Sequence, residues 1–425
     1  MLLKVSNSQA GGRVRIPGSK SQTIRALFLA SLAQGRSEIH APLISSDTLS
    51  AVTTCQAFGA RIIQEEQKFT IEGINGLPQV PQDIIQVGNS GTTLRFGVMT
   101  AALCDGYTVF TGDEQIRSRP LGPLLTAICD LGGIAFTTRD NGSAPAVIKG
   151  RVHSGAISVD AVTSQYLSAL LIHAPLLDGD TTIRVTRLNE APYVDMTLGW
   201  LDGQRISYDR DGYRQFTVKG GQHYQAFRTT IPGDFSSATF LMVQAAISGS
   251  EMILENLDLK DTQGDKAILP VLESMGANVT VTGDTIRIVG NGLKGREIDL
   301  NAIPDALPAL AVAGCFASGE TRLVNVPQAR LKETDRIRVM AAELVKMGAD
   351  ITELPDGLVI KSSSLKGCFL NGHSDHRVVM ALAIAGLNAS GITLIDSAEA
   401  VRVTFPEFVD IISACGGKIR LMAEG

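Results

Sequence analysis

Residues 24–35 read IRALFLASLAQG, an apolar helical run that ends in small residues and a glycine, and this plan recurs along the chain. Five later stretches follow it: TLRFGVMTAALCDG (93–106), YLSALLIHAPLLDG (166–179), ATFLMVQAAISG (238–249), LPALAVAGCFASG (307–319) and VVMALAIAGLNASG (378–391). The closing glycines are Gly35, Gly106, Gly179, Gly249, Gly319 and Gly391. Their nearly constant spacing indicates one structural repeat that occurs six times.

A second series of glycines lies between the members of the first. More amphipathic helical runs end, at nearly the same interval, at Gly59, Gly132, Gly203, Gly276, Gly348 and Gly416. Glycine is expected there because the left-handed conformation that ends a helix strains a residue with a Cβ atom. Strand-like runs such as NVTV (278–281) and KIRL (418–421) follow. Each repeat is therefore predicted to contain a helix, a strand, a second helix and further strands, in that order.

The first helix of each repeat is apolar nearly all round, which predicts burial, whereas the second helix is predicted to be half-exposed. Pro17-Gly18 and Pro232-Gly233 lie at equivalent positions, three repeats apart along the chain. We predict an α/β fold of two pseudo-symmetric domains with buried helices and outer sheets, formed by residues 19–232 and by residues 1–18 with 233–425. The chain then crosses between domains near 18 and 232, and two crossings form a hinge suited to closure on a ligand.

Composition excludes several classes of protein. The 425 residues carry 38 Lys and Arg against 43 Asp and Glu, a net charge of −5, so a general nucleic-acid binder is not expected. No window reaches the roughly 18 apolar residues of a membrane span, and no secretory signal opens the chain. The six cysteines are scattered without a C-x-x-C pair, which is typical of reduced thiols. We therefore expect a cytoplasmic protein.

Small polar residues and cations concentrate where the inner helices are predicted to begin. The stretches are Ser19–Arg25, Asn89–Arg95, Thr163–Gln165, Asp234–Ser237 and Asp375–Arg377. A helix N-terminus offers free N–H groups and the positive end of a dipole, so it binds phosphate or carboxylate. For any single Ser, Thr, Asn or Asp, the simpler interpretation is an N-cap. Cations on buried helices are costly unless they are paired, and this set as a whole favours bound anions.

Further cations and two carboxylates extend the candidate site. Arg119 lies in one cationic run, and the other spans Arg330–Arg338. Guanidinium groups suit carboxylate and phosphate, and their clustering in an acidic chain indicates a small polyanion. Asp305, at the start of the fifth inner helix, and Glu333 are acid–base candidates, although a single Asp there is often only a cap. His376 stays ambiguous, and no motif for a metal, a P-loop or a dinucleotide is present, so no metal or cofactor is expected.

Nine ordered motifs resemble one enzyme family across nearly the whole chain. They are PGSKSQTIRA (17–26), GNSGTTLRF (88–96), RSRPLGPLL (117–125), TSQYLSALL (163–171), APYVDMTL (191–198), PGDFSSATF (232–240), LKETDRI (331–337), SDHRVVMALA (374–383) and TFPEF (404–408). The chain resembles the 5-enolpyruvylshikimate-3-phosphate synthases (3-phosphoshikimate 1-carboxyvinyltransferases) of the enolpyruvyl transferase family. The resemblance implies two domains of three βαβαββ repeats, with helix N-termini facing an interdomain cleft.

The resemblance also implies a reaction. The family moves the enolpyruvyl (1-carboxyvinyl) group of phosphoenolpyruvate to the 5-hydroxyl of shikimate 3-phosphate, in the shikimate pathway of aromatic amino acid and chorismate biosynthesis. Phosphate leaves after a tetrahedral intermediate, and no cofactor takes part. The implied partners are these two small anionic substrates, with neither nucleic acid nor membrane. We expect a monomer in which glyphosate competes with phosphoenolpyruvate.

Site residues follow from the same resemblance. For phosphoenolpyruvate it implies Lys20, Gly91, Arg119, Gln165, Arg336 and Arg377. For shikimate 3-phosphate it implies Ser21, Arg25, Thr163, Ser164, Gln165, Asp305, Gln328 and Lys332. Asp305 resembles the base that takes the 5-hydroxyl proton, and Glu333 resembles the group that handles the proton at the phosphoenolpyruvate methylene. Lys20 is implied as the third catalytic group.

Three positions depart from the family pattern. Val403 stands where many members have Lys, so one cation is missing or is supplied by a neighbour such as Arg402. Gln328 replaces an Asn. Glu190 stands where Ser is common at the shikimate phosphate, and it places an anion where an anion should bind unless its side chain turns away.

Three alternative functions stay open on the sequence. An enolpyruvyl transferase with another acceptor is favoured by Glu190 and Val403. The related UDP-N-acetylglucosamine enolpyruvyl transferase is disfavoured because DEQIRSRP (113–120) contains no Cys. A non-catalytic scaffold of the same fold has no need of the buried charges expected at Lys20, Asp305 and Arg377.

Overall fold

Short strands and helices alternate throughout residues 1–422, the part of the chain that the computed structural model describes. The strands are β1 (Leu2–Ser6), β2 (Gly12–Arg15), β3 (Arg36–His40), β4 (Arg61–Glu65), β5 (Lys68–Glu72), β6 (Ile85–Gln86), β7 (Tyr107–Thr111), β8 (Ile134–Thr137), β9 (Ala146–Lys149), β10 (Ala156–Ala161), β11 (Thr181–Leu188), β12 (Tyr208–Asp211), β13 (Gln215–Val218), β14 (Arg228–Thr230), β15 (Glu251–Glu255), β16 (Asn278–Thr282), β17 (Thr285–Val289), β18 (Glu297–Asp299), β19 (Glu320–Val324), β20 (Asp350–Leu354), β21 (Gly357–Lys361), β22 (Phe369–Leu370), β23 (Ile392–Ile395) and β24 (Lys418–Met422).

The helices follow the same chain order. They are α1 (Lys20–Leu32), α2 (Ser46–Ala57), α3 (Gly91–Ala101), α4 (Gly122–Asp130), α5 (Ser164–His173), α6 (Ala191–Gly203), α7 (Phe235–Ser248), α8 (Ile268–Met275), α9 (Leu307–Phe316), α10 (Arg336–Lys346), α11 (His376–Asn388) and α12 (Phe408–Ala414). Short 3-10 helices precede α9 and α10, at Pro304–Ala306 and Pro327–Leu331. None of the helices in this part of the chain has the length and apolarity needed to cross a bilayer.

Contacts divide the chain into two compact units. Unit 1 comprises Met1–Pro17 and the chain from Pro232 onward, and unit 2 comprises Gly18–Ile231. Each unit encloses its own hydrophobic core. Within unit 1 the two ends of the crossings lie side by side, because the Asp234 amide donates to the Pro17 carbonyl at 2.9 Å.

Each unit contains three four-stranded sheets of one topology. The strand orders are β14-β3-β5-β4, β6-β7-β9-β8 and β10-β11-β13-β12 in unit 2, and β2-β15-β17-β16, β18-β19-β21-β20 and β22-β23-β1-β24 in unit 1. The first two strands of every sheet are parallel and the other neighbours are antiparallel. A parallel pair needs a crossover helix, which α3 supplies between β6 and β7. The predicted fold class, with three βαβαββ repeats in each half, is confirmed.

Two of the six sheets take their first strand from far along the chain. In unit 2, β14 closes the first repeat, with Thr229 opposite Ile39. In unit 1, β2 pairs with β15, with Arg13 opposite Ile253. Strand β1 lies between β23 and β24, so the chain's first strand is a central strand of its sheet.

The inner helices α1, α3 and α5 of unit 2 and α7, α9 and α11 of unit 1 are buried almost throughout, as predicted from their apolar circumference. Their caps also match one interpretation of the polar starts. The side chains of Ser19, Ser90, Thr163, Asp234 and Asp375 are N-caps that accept backbone N–H groups. The capping role accounts for these five residues only, and the residues that follow them interact with other groups.

The closing glycines behave as predicted at nine of the twelve positions, where φ is positive. The expectation is wrong at Gly106, Gly179 and Gly203, where φ is not positive. Gly203 is the last residue of α6, and Arg205 takes the left-handed conformation instead, at φ 56°. The position of the closing glycine is therefore repeated along this chain more strictly than its backbone angle.

Candidate active site

A cluster of ion pairs surrounds Arg336 in unit 1. This first residue of α10 is 1% exposed, and its guanidinium donates to three carboxylates. Nε and Nη2 donate to Asp375 at 2.8 and 3.1 Å, Nη1 donates to Asp305 at 2.8 Å, and Nη2 donates to Glu333 at 2.6 Å. Burial works to lower the pKa of Arg336, but the charges of Asp375, Glu333 and Asp305 outweigh it and raise that pKa.

Asp305 lies in the 3-10 helix just before α9 and is shared among three cations. Besides Arg336 it pairs with Arg377 at 3.1 Å and with Lys332 at 3.9 Å. Burial works to raise the pKa of Asp305, yet the charges of Arg377, Lys332 and Arg336 outweigh it and hold that pKa well below the usual range. The carboxylate is therefore ionised at neutral pH.

Asp375 fixes the geometry of the cluster from the start of α11. It is fully buried, and its carboxylate accepts from Arg336, from the Arg377 amide at 2.9 Å and from the Thr334 hydroxyl at 3.1 Å. The helix cap and the ion pair thus orient two of the predicted cations at once. His376 is fully buried beside it, and burial lowers the pKa of His376 to about 3 even though Glu333 and Asp375 oppose this shift. His376 is therefore neutral and adds no cation.

Two other sequence-predicted positions in unit 1 have different surroundings. Gln328 is 3% exposed, and its Nε2 donates to the Asn301 carbonyl at 3.1 Å. Its Oε1 is buried without a hydrogen-bond partner in residues 1–422. Arg402, offered as a substitute for the Lys missing at Val403, is exposed, and its charge helps to lower the pKa of Glu399.

Unit 2 holds the remaining predicted residues, beginning with Lys20. Lys20 opens α1, and its ammonium lies 3.2 Å from Asp47 in the first turn of α2. Their side chains are 15% and 4% exposed. The pair holds a partly buried cation directly after the Ser19 cap.

Two guanidinium groups flank Gly91, the first residue of α3. A Cβ atom at this position would lie 2.5 Å from Nη1 of Arg95 and 2.7 Å from Nη1 of Arg119. Arg95 donates to the carbonyls of Gly91 and Pro120 at 3.0 and 2.9 Å, and Arg119 donates to Asn89. The missing side chain at Gly91 is therefore what lets these two cations approach the start of the helix.

Arg25 on α1 connects this helix with α3, α5 and α6 in unit 2, its bond to α5 being that to Ser168 Oγ at 3.4 Å. It is 2% exposed, and it donates to Thr197 Oγ1 at 2.9 Å, to the Ser21 carbonyl at 3.1 Å and to the Tyr193 carbonyl at 2.9 Å. Its guanidinium also lies 5.6 Å from the centre of the Phe96 ring, a cation–π contact. Neutral oxygens on α1 and α6 thus fix the direction of this buried cation.

Glu190, whose orientation the sequence left open, faces the start of α5 within unit 2. Its Oε2 accepts from the Ser164 hydroxyl at 2.9 Å, from the Ser164 amide at 3.3 Å and from the Thr163 hydroxyl at 3.3 Å. Gln165 follows these residues and is half-buried. Two residues predicted to bind shikimate 3-phosphate are therefore in contact with a carboxylate of the same unit.

The structure groups the predicted residues by unit. Unit 1 brings together Asp305, Lys332, Glu333, Arg336 and Arg377. Sequence reasoning missed Asp47, Asp375 and Thr197 as the groups that hold Lys20, Arg336 and Arg25. Asp375 was noted only as part of the helix start two residues before the predicted Arg377, whereas Asp47 and Thr197 lie 27 and 172 residues from their partners. No group of three or more metal-ligating side chains gathers anywhere in residues 1–422.

Buried cations held beside ionised carboxylates, at the starts of buried helices in a duplicated α/β fold, define an enzyme that handles small anionic substrates. A family model described as EPSP synthase (3-phosphoshikimate 1-carboxyvinyltransferase) matches residues 6–412. This chain belongs to the EPSP synthase family.

Two relatives and one solved structure agree with this family assignment. A 3-phosphoshikimate 1-carboxyvinyltransferase of Acetivibrio thermocellus is 66% identical over 419 residues and covers 99% of both chains. One from Ruminiclostridium cellulolyticum is 60% identical over 422 residues, with 99% of this chain and 100% of that protein covered. The 2.37 Å structure of EPSP synthase from Acinetobacter baumannii is 26% identical, covers 99% of both chains and superposes with a TM-score of 0.82.

Proposed function

We propose that this chain transfers the 1-carboxyvinyl group of phosphoenolpyruvate to the 5-hydroxyl of shikimate 3-phosphate and releases phosphate. Membership of the EPSP synthase family supports this reaction. The observation that carries it at the site is Arg336, one buried guanidinium that binds both candidate acid–base carboxylates, Asp305 at 2.8 Å and Glu333 at 2.6 Å. A transferase of this kind works in the shikimate pathway, and we propose a cytoplasmic location and a monomer.

The proposed reaction has two stages. The 5-oxygen of shikimate 3-phosphate bonds to C2 of phosphoenolpyruvate while C3 gains a proton, which produces a tetrahedral intermediate. The bond between C2 and the phosphate oxygen then breaks, and C3 loses a proton. Asp305 takes the hydroxyl proton, Glu333 handles the proton at C3, and Lys20 is the third catalytic group.

The low pKa of Asp305 fits this role once the substrates are considered. The base must be ionised to accept a proton, and the cations around Asp305 keep it so. Bound phosphate and carboxylate groups offset those same cations, which raises the proton affinity of Asp305 in the loaded site. General-base assistance of this kind contributes roughly 10²- to 10⁴-fold in rate.

The substrate assignments divide between the two units. For phosphoenolpyruvate we propose Lys20, Gly91, Arg119 and Gln165 from unit 2 with Arg336 and Arg377 from unit 1. For shikimate 3-phosphate we propose Ser21, Arg25, Thr163, Ser164 and Gln165 from unit 2 with Asp305, Gln328 and Lys332 from unit 1. Each substrate then has ligands in both units, so we also propose a hinge near 18 and 232 that closes on the bound pair. Small-angle scattering tests it, because profiles that superimpose with and without both ligands would contradict closure.

Phosphate release from phosphoenolpyruvate and shikimate 3-phosphate tests the function directly. Turnover should require both substrates, and glyphosate should compete with phosphoenolpyruvate. The assay repeated with plain shikimate shows whether the 3-phosphate is needed. A chain that releases no phosphate with either acceptor would be a scaffold, and one that prefers plain shikimate would have a different acceptor.

A further inference from the structure

The loop between β22 and α11 leads directly into the ion cluster of unit 1. It comprises residues 371–374, and the next residue is Asp375, which binds Arg336 and caps α11. Two residues further on, Arg377 pairs with Asp305 at 3.1 Å. The course of this loop therefore determines where two side chains of the cluster lie.

Two consecutive residues of the loop have left-handed backbone angles although neither is a glycine. His373 has a φ of 54° and Ser374 has a φ of 52°. A residue with a Cβ atom is strained in this region, and such residues persist where the surrounding structure holds them. Contacts from neighbouring elements must therefore keep the loop in this conformation.

The side chain of Glu343 on α10 makes two of these contacts. Its carboxylate accepts from the Asn371 amide at 3.0 Å and lies 3.0 Å from Nε2 of His373. Lys346, nearly one turn further along α10, pairs with the same carboxylate at 2.8 Å. Glu343 is 2% exposed. A buried carboxylate therefore binds the loop at its first and third residues.

The carboxylate of Glu343 is ionised at neutral pH. Burial works to raise the pKa of Glu343, but the ammonium group of Lys346 and the two donors of the loop outweigh it and lower that pKa. Hydrogen bonds to an ionised acceptor are stronger than those between neutral groups. A neutral side chain of the same shape would therefore hold the loop less firmly.

Further hydrogen bonds connect the loop with the start of α11. The Gly372 amide donates to Asp396 at 2.8 Å, and the His373 amide donates to the Asn371 side chain at 2.6 Å. The Gly372 carbonyl accepts from the Asp375 amide at 3.0 Å. A displacement of the loop would therefore displace Asp375 as well.

Helix α10 contacts this segment of unit 1 at two points. Arg336, its first residue, binds Asp375, and Glu343, seven residues later, binds the loop that precedes Asp375. Residues seven apart lie on one face of a helix, about two turns from each other. One face of α10 therefore holds both the start of α11 and the loop before it.

We propose that Glu343 is a positioning residue, which holds residues 371–374 in their left-handed conformation and thereby aligns Arg377 and the Asp375–Arg336 pair for phosphoenolpyruvate. The inference rests on the proposed function, in which Arg336 and Arg377 bind that substrate. Glu343 then acts on substrate binding through the loop and not on the proton transfers.

Glu343→Gln tests this role because the amide keeps the shape of the side chain, removes its charge and leaves one acceptor oxygen for two loop donors. We expect the KM for phosphoenolpyruvate to rise roughly tenfold, the size of one weakened hydrogen bond to a charged group. The kcat and the affinity for shikimate 3-phosphate should change by less than about threefold. Steady-state phosphate release measures KM and kcat, and calorimetry measures the affinity.

Hydrogen–deuterium exchange of the protein without substrates reports on the loop independently of turnover. In Glu343→Gln, the amides of residues 371–377 should exchange faster, whereas those of unit 2 should exchange as in wild type. His373→Asn repeats the test if Glu343→Gln folds poorly, because it removes one of the two contacts and keeps a residue that tolerates left-handed angles. Its rise in KM should be smaller, about threefold.

Ser374→Gly supplies a rescue that a merely structural role of Glu343 would not show. Ser374 is exposed, and glycine adopts left-handed angles without strain. Added to Glu343→Gln, this change should return the KM for phosphoenolpyruvate to within about threefold of wild type. Ile286→Val is the stability control, because it shortens a fully buried side chain of β17 in unit 1 and should lower thermal stability without changing KM.

The outcomes separate this inference from the proposed function. Faster loop exchange with an unchanged KM, or a raised KM with unchanged loop exchange, would overturn the positioning role and leave the reaction standing. A raised KM that Ser374→Gly does not recover would also contradict it. A wild-type chain that releases no phosphate would remove the proposed function itself. Faster exchange, a raised KM and recovery with Ser374→Gly together support the role of Glu343.

Discussion

Asp305 combines two properties at the residue scale, since it is the proposed base and also the shared partner of Arg336, Arg377 and Lys332. Asp305→Asn removes the proton acceptor and keeps the shape. We expect kcat to fall roughly 10²- to 10⁴-fold, while shikimate 3-phosphate still binds. Calorimetry measures the binding and phosphate release measures kcat. Asp350→Asn, which removes an exposed carboxylate near Lys361, is the control; an Asp305→Asn enzyme with normal kcat would exclude Asp305 as the base.

Lys20 in unit 2 and Arg377 in unit 1 are both proposed to bind phosphoenolpyruvate. Lys20→Ala and Arg377→Ala should each weaken the use of phosphoenolpyruvate by about 1.5–3 kcal/mol, the worth of a hydrogen bond to a charged group. Steady-state kinetics at saturating shikimate 3-phosphate gives this as the change in kcat/KM. Lys219→Ala removes a half-exposed lysine that pairs with Asp180 and should have no such effect. Unchanged kinetics in either variant would discredit that residue's assignment.

Gly91 tests how closely two cations approach the start of α3. Gly91→Ala places a Cβ atom within 2.7 Å of both Arg95 and Arg119, but the clashing atoms are the ends of flexible side chains. The fold should therefore tolerate the change while the guanidinium groups shift. We expect a higher KM for phosphoenolpyruvate, by roughly the tenfold of one weakened charged hydrogen bond, and reduced inhibition by glyphosate.

Gly122→Ala is the matched control for this change, because a Cβ atom there meets nothing within 4 Å. Thermal unfolding of both variants shows whether stability is retained. A Gly91→Ala variant with an unaltered KM would show that the two guanidinium groups do not depend on the missing side chain.

At the scale of the element, the inner helices show which parts of the architecture the sequence can predict. Their apolar circumference and regular spacing are local patterns, so burial, repeat number and N-caps such as Ser19 and Asp234 followed from residues a few positions apart. Their ends were less predictable, as Gly203 shows, because Arg205 completes the turn after α6. A backbone angle depends on the surroundings of the helix end, which spacing does not describe.

Buried histidines in α5 and α11 make the stability of the fold depend on pH. Burial lowers the pKa of His376 to about 3 and that of His173 to about 4, against an ordinary value near 6.5. Below that ordinary value the unfolded chain binds protons that the folded chain does not. The free energy of unfolding should therefore decrease as pH falls from about 6.5 towards 4, by up to ~1.4 kcal/mol per pH unit for each histidine.

His376→Phe isolates one of these contributions. Neither ring nitrogen of His376 has a hydrogen-bond partner within residues 1–422, so an aromatic ring without nitrogen suits the site. Denaturant unfolding between pH 4 and 7 should show a shallower pH dependence in this variant. His223→Phe, at an exposed position, should leave the slope as in wild type. An identical slope in His376→Phe would mean that His376 binds its proton over the same pH range in the folded and the unfolded chain.

At the scale of the whole molecule, the ion cluster of unit 1 shows which contacts the sequence could not predict. The family resemblance implied roles for Asp305, Glu333, Arg336 and Arg377 one by one, and the structure joins them through ion pairs both within one helical turn and between distant elements. The contacts that hold the predicted cations in place could not be predicted from the sequence. Arg25 and Thr197 are 172 residues apart, and only the packing of α1 against α6 brings them together.

Residues 1–17 provide a test of how the two units depend on the chain's ends. Their removal deprives one sheet of unit 1 of the central strand β1 and another of the edge strand β2, while all three sheets of unit 2 keep their strands. We expect the shortened chain to retain the unfolding transition seen by Trp200, which lies in unit 2. About half of the cooperative change in far-UV circular dichroism should be lost. Loss of the Trp200 transition, or an unchanged circular dichroism transition, would contradict independent units.

The position of β1 has a consequence for how the protein is made. The ribosome makes this strand long before its two partners, β23 and β24. Unit 2 has all its strands once Thr230 has left the exit tunnel, so it can complete its fold on the nascent chain. Strand β1 must therefore remain exposed until β23 and β24 have been made, and a chain that stopped before them would have a folded unit 2 and an unpaired, strand-forming segment.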